Sequence, residues 1–192
     1  MPLKVTFELS DRDLHYFRDM MSEVADRCSH FSGEQIIANA SATLGGMDED
    51  APEFIRLRAV KLRSMIEMLE DEEWNLEGTD RDRVIKALSY FAEPHDLIPD
   101  AVPGIGFLDD AIMVELVVRE LVHELDAYDD FCRFRSQKDK VLRATGQGAT
   151  HREEWLDARR KQLQARMNRR RKRRHRTSSR SAPSQRSPYS LW

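Results

Sequence analysis

The sequence predicts an all-α protein: a compact bundle of about five helices, followed by a helical extension and a disordered basic C-terminal tail. Three observations carry this. Apolar residues recur at three- and four-residue steps through most of the first 135 positions. Strand-like alternation is confined to a short lead-in at Val5, Phe7 and Leu9. Capping residues, glycines and prolines then cut the pattern into helix-sized pieces.

Ser10 with Asp13 has the pattern of a capping box and opens a helix that runs to about Ser29. Leu14, Phe17, Met21, Val24 and Cys28 form its apolar stripe. Ser32 with Gln35 makes a second box, for a helix bearing Ile36, Ile37, Ala40 and Leu44 that Gly45-Gly46 closes. Asp50, Pro52 and Glu53 start a third, buried through Phe54, Ile55, Leu57, Leu62, Met65, Ile66 and Leu69 and reaching about Trp74. The acid run Glu70 to Glu73 sits at the wrong end for the helix dipole. It reads as a fraying, exposed end, or as a surface for basic groups. Thr79 opens a fourth helix with Val84, Ile85, Leu88 and Phe91 inside, and Pro94 stops it. One long helix is expected from Leu108 to about Arg135, with Val114, Val117, Val118, Leu121, Leu125 and Tyr128 on one face. Glu115, Arg119, Glu120, His123 and Glu124 are expected mainly elsewhere. Thr150 and Glu153 cap a sixth helix, whose large apolar residues are Trp155, Leu156 and Leu163.

The charges are segregated. Residues 159–192 hold 13 Lys and Arg and no carboxylate, while the other 158 residues hold 18 basic and all 34 acidic groups. The first 158 residues are therefore expected to stand near −16, with an acidic body at 1–144, a linker and basic helical extension at 145–176 and a disordered tail at 177–192. Cys28 and Cys132 lie outside any CxxC pattern and suit a reduced, cytoplasmic protein. No uncharged apolar run reaches the ~18 residues of a membrane span.

Between the fourth and fifth helices stands Tyr90-Phe91-Ala92-Glu93-Pro94-His95-Asp96-Leu97-Ile98-Pro99-Asp100, continuing Ala101-Val102-Pro103-Gly104-Ile105-Gly106-Phe107-Leu108-Asp109-Asp110. This resembles the YkvA-like family, a bacterial domain without an established activity. Its signature is Pro-x-Asp-Leu-Ile-Pro-Asp followed by Ile-Pro-Gly-x-Gly-Tyr-Leu-Asp-Asp. Val102 and Phe107 depart mildly from it. The resemblance implies a helical hairpin at about 84–125.

The residues themselves admit two readings. As a structural corner, Pro94 ends the fourth helix, Pro99 and Pro103 stiffen the connection, and Gly104 and Gly106 permit special backbone angles. Asp96 and Asp100 then close turns, Asp109 caps the next helix and Asp110 lies in its first turn. As an acidic site, Asp96, Asp100, Asp109 and Asp110 would suit a divalent cation and a metal-dependent enzyme, with His95 and His123 as candidate ligands. The spacing is not that of an EF-hand, and no Walker A or nucleophile-elbow pattern occurs. No cofactor is expected.

Arg166, Arg169, Arg170, Arg171, Lys172, Arg173, Arg174 and Arg176 put eight cations into eleven residues. They suit nucleic-acid phosphates or another polyanion, or else the chain's own acidic body. The leading expectation is a non-enzymatic adaptor with an unidentified protein partner and a polyanion-binding tail. The alternatives are a metal-dependent enzyme and a peripheral membrane protein using the apolar loop 101–108.

Overall fold

In the computed structural model the described residues are 8–45, 53–92, 108–145 and 149–181, with side chains described through Arg174 except at 54, 55, 58, 110, 145, 149 and 150. Among them are seven α-helices and no strand: α1 (Asp11–Arg27), α2 (Gly33–Gly45), α3 (Glu53–Glu70), α4 (Gly78–Leu88), α5 (Leu108–Glu120), α6 (Val122–Thr145) and α7 (Ala149–Ser181). Short 3-10 turns follow α1 and α4.

The two capping boxes form as expected. Ser10 Oγ accepts from the Asp13 amide, and the Asp13 carboxylate accepts from the Ser10 amide at 2.8 Å. The Ser32 amide donates to Gln35 Oε1 at 2.8 Å, and the Gln35 amide donates back to Ser32 Oγ at 3.2 Å. Leu14, Met21, Val24 and Cys28 of the first stripe are buried, while Phe17 is half-buried. Leu57, expected inside α3, is exposed.

The acid run after α3 is not a frayed end. The helix stops at Glu70, and Asp71 Oδ1 accepts from the amides of Glu73 and Trp74 at 3.0 and 3.1 Å. That turn carries Trp74 into the core, where its ring centroid lies 5.2 Å from Phe131 and 5.8 Å from Tyr128. Asn75 and Gly78 adopt positive φ as the chain swings into α4. α4 starts one residue before Thr79, with Glu77 at its N-cap.

The long helix expected over 108–135 is two helices meeting at Leu121. Backbone bonds from Leu121 to Val117 and from Leu125 to Leu121, both 2.9 Å, persist across the join, and no proline or glycine lies there. α6 also runs on to Thr145. Its polar second half is sustained by packing: Lys138 sits 4.4 Å over the Trp155 ring, and Arg159 sits 5.5 Å over Phe134.

α7 folds back along α6. Leu156, Leu163 and Met167 are buried in the same cluster as Trp74, Val84, Leu121 and Phe131. Residues on both sides of the 144/145 boundary therefore share one core. α7 remains helical past position 176 to Ser181, and 182–192 lie outside the described residues.

Candidate functional site

The most charged structural element is the seat of α7 on the body. Residues 156, 160, 163, 164, 167, 168, 171 and 174 recur at three- and four-residue steps and line one face of the helix. Three of these are apolar and buried, and the polar ones meet named partners.

At the first end of the seat, Arg152 pairs with Glu73 and, at 2.7 Å, with Asp139. Arg135 of α6 bridges Asp71 at 2.8 Å and Glu73 at 2.9 Å, and the Tyr128 hydroxyl donates to Asp71 Oδ2 at 3.0 Å. Arg160 donates to the Glu73 carbonyl and Gln164 to the Trp74 carbonyl, at 3.4 and 3.0 Å. The acid run is thus a receptor for basic groups, and the groups belong to the same chain.

These contacts set the local titration. The Arg152 guanidinium holds the Glu73 and Asp139 carboxyls below the usual carboxylate range, against a smaller opposing effect of burial. A depressed folded-state pKa stabilises the fold fully above the ordinary carboxylate range, about 3.9–4.3, and the benefit disappears as pH falls through the depressed value. The melting-temperature gap between the native chain and Arg152→Gln should therefore be widest above about pH 5 and close on acidification. A gap that widened toward low pH would contradict the assignment.

At the second end lies a buried ionic cluster. Glu124 is fully buried and Glu120 is 5 % exposed, contrary to their expected placement away from the apolar face. Burial is tolerated because counter-charges reach them from two other helices. Arg83 of α4 lies 3.0 Å from Glu120 and 3.6 Å from Glu124. Arg171 of α7 contacts Asp80 and lies 3.3 Å from Glu124. Arg174 approaches Glu120 at 3.8 Å and donates to the Arg119 carbonyl at 2.9 Å. Asn168 completes the group, donating to Asp80 at 3.2 Å and accepting from Arg171 at 2.7 Å. Three guanidiniums balance three carboxylates, which is the condition for keeping ionised groups out of water.

The eight cations singled out in the sequence are thus divided. Arg171 and Arg174 turn inward. Arg166 and Arg170 lie at the margin, with long contacts to Asp130 at 3.8 Å and Asp126 at 3.9 Å. Arg169, Lys172 and Arg173 are exposed on the opposite face, and the Arg176 side chain lies outside the described set. Arg152 and Asp80 were not singled out in the sequence, Asp71 entered only within the acid run 70–73, and Glu120 and Glu124 were placed away from the apolar face. The available signal was the acid pair at 120 and 124, which flanks Leu121 and Leu125 within an otherwise buried arc.

Of the acidic-loop residues, Pro94, Asp96, Asp100, Pro103, Gly104 and Gly106 lie outside the described residues, as do His95 and the loop 101–107. α5 begins at Leu108, and Asp109 is buried in its first turn. Asp110 follows in the same turn. His123 lies on α6 beside Asp126, Arg166 and Arg170, and burial pulls its pKa below the ordinary histidine value. Among the described residues, no group of three or more His, Cys, Asp or Glu side chains is placed to hold a metal ion. No described helix is long and apolar enough to cross a membrane. Cys28 and Cys132 are both free thiols.

No curated protein and no solved structure matches the chain. Residues 84–116, from the middle of α4 into α5, match the family model described as a protein of unknown function (DUF1232), and the arginine seat of α7 lies outside that match.

Proposed function

We propose that the chain is a non-enzymatic interaction protein that clamps a basic helix onto its own acidic body and offers that helix's outer face to a polyanion, nucleic-acid phosphate fitting best. The observation that carries this reading is the division of α7. Its inner arginines are engaged by Glu73, Asp80, Glu120 and Glu124, whereas Arg169, Lys172 and Arg173 lie on the outward arc and Arg166 stands at its margin, half-exposed beside Asp130. Held on a docked helix, these four cations are pre-organised, which lowers the entropy lost on binding. Arginine forks suit phosphate oxygens. With one face occupied by the body, the helix cannot sink fully into a groove. It contacts backbone phosphates more than base edges, so sequence preference is weak. On this view the 84–116 segment, where the YkvA-like resemblance falls, has a structural and not a catalytic role.

The division of α7 alters the expected salt dependence. Eight phosphate contacts would give a log-affinity slope against log salt of about −7, and four give about −3.6. Fluorescence anisotropy with labelled duplex and single-stranded oligonucleotides over a salt series measures it. R166Q/R169Q/K172Q/R173Q should abolish binding while leaving the melting temperature unchanged. Undiminished binding by that variant, or none by the intact chain at low salt, overturns the reading. Tighter binding to anionic vesicles at matched salt would replace nucleic acid with a lipid surface.

A further inference from the structure

Away from α7, two other helices display complementary outer faces. Of the four large apolar side chains exposed among the described residues, three lie on these faces: Tyr16 at 57 %, Leu57 at 61 % and Val60 at 57 %. On α3, Leu57 and Val60 are one turn apart. On the helical arc, Arg56 and Arg63 flank them on one side and Lys61 on the other, and all three cations are exposed. The segment 54–66 contains no carboxylate at all, although the surrounding body is strongly acidic. On α1, exposed Tyr16, Asp19, Glu23 and Asp26 recur at helical spacing in a single stripe.

We propose that the α3 face of one molecule docks on the α1 face of a second copy of this chain. With the helices roughly parallel, Tyr16 covers Leu57 and Val60 while Asp19 and Glu23 reach Lys61 and Arg63. Exposed Glu67, farther along α3, would then oppose Asp26. The helices therefore cross and separate beyond Glu23, as ridge-into-groove packing allows. The contact is small, below the roughly 1,000 Å² of a stable interface, so association is weak and reversible. Opposite charges bracketing the apolar centre make it salt-sensitive. Because unlike faces meet, the assembly is heterologous and either closes into a ring or extends as a chain.

A charge-exchange experiment tests this, with mass measured by sedimentation equilibrium over a concentration series at low and high salt. The native chain should show a weight-average mass that rises with concentration at low salt and falls back when salt is added. R56E/K61E/R63E alone and D19K/E23K alone should each remain monomeric, because each presents two faces of like sign. An equimolar mixture of the two should associate again, since the reversed α3 of one fits the reversed α1 of the other. Circular dichroism and thermal melts check that both variants fold. A native chain that stays monomeric at every concentration overturns the proposal, as does association that survives either variant. Loss in both variants without recovery in the mixture assigns the two faces to separate partners and overturns it equally. Binding of native chain, but not of R56E/K61E/R63E, to anionic vesicles with no self-association would identify the α3 face as a lipid contact instead. α7 is unchanged in both variants, so oligonucleotide binding measured in parallel keeps failure of this pairing distinct from failure of the polyanion reading.

Discussion

Replacing Arg171 with Met is expected to destabilise the fold by about 3 kcal/mol, the lower part of the range for stripping one partner from a buried ion pair. Arg171 is 18 % exposed and contacts two carboxylates, Asp80 and the fully buried Glu124. Without it, Glu124 keeps only Arg83, 3.6 Å away and already engaged with Glu120. That residual partner is the reason for choosing the lower figure. In a chain of this size the loss corresponds to a fall in melting temperature of roughly 6–12 °C. The double variant E124M/R171M should recover part of the loss, because the fully buried Glu124 charge leaves with its partner while Asp80 still lacks Arg171. A melt of R171M within about 2 °C of the native chain would show that α7 does not bear on the cluster. Strongly non-additive effects in the mutant cycle would establish the coupling directly.

The cluster also shows where one-dimensional patterns stop. Ser10 with Asp13 and Ser32 with Gln35 were legible because a capping box is complete within four residues. The stripes of α1 and α2 were legible because apolar spacing alone places them. Glu120 and Glu124 were misplaced because amphipathic reasoning sends charges to water unless a counter-charge is in view. Theirs come from Arg83 and Arg171, 37 and 47 residues away in sequence. For the same reason the docking of the basic run on the chain's own acidic body was legible only as an alternative to polyanion binding. The inner face of α7 is built from Leu156, Leu163 and Met167 but also from Arg160, Gln164, Asn168, Arg171 and Arg174. By composition this looks like a solvated basic helix, although its polar residues have partners on the body. The segregation of charge was plain in the sequence. Which arginines the acidic body engages, and which it leaves outward, needed the third dimension.

The same packing makes α7 part of the folding unit, and its removal should have the largest effect of any change considered. Ending the chain after Thr145 removes the burial of Leu156, Leu163 and Met167, about 2 kcal/mol each. It uncovers the surface around Trp74 and leaves Glu124 and Asp80 without Arg171. The remaining segment holds 17 basic and 31 acidic groups, so self-repulsion rises as stability falls. Together these losses are comparable with the whole stability of an ordinary domain, about 5–15 kcal/mol. The truncated chain should therefore lose its cooperative thermal transition and bind a hydrophobic dye, while keeping some helical signal. A synthetic peptide covering residues 149–181, added in excess, should restore the transition with a midpoint that rises with peptide concentration, as mass action requires. A truncated chain that melts cooperatively within a few degrees of the native one would refute this account of α7. The result also decides how the polyanion reading can be tested. If deletion of α7 unfolds the body, loss of nucleic-acid binding on truncation says nothing about which residues make the contact. Only substitutions confined to the outward arc, at Arg166, Arg169, Lys172 and Arg173, separate the binding face from the one that holds the protein together.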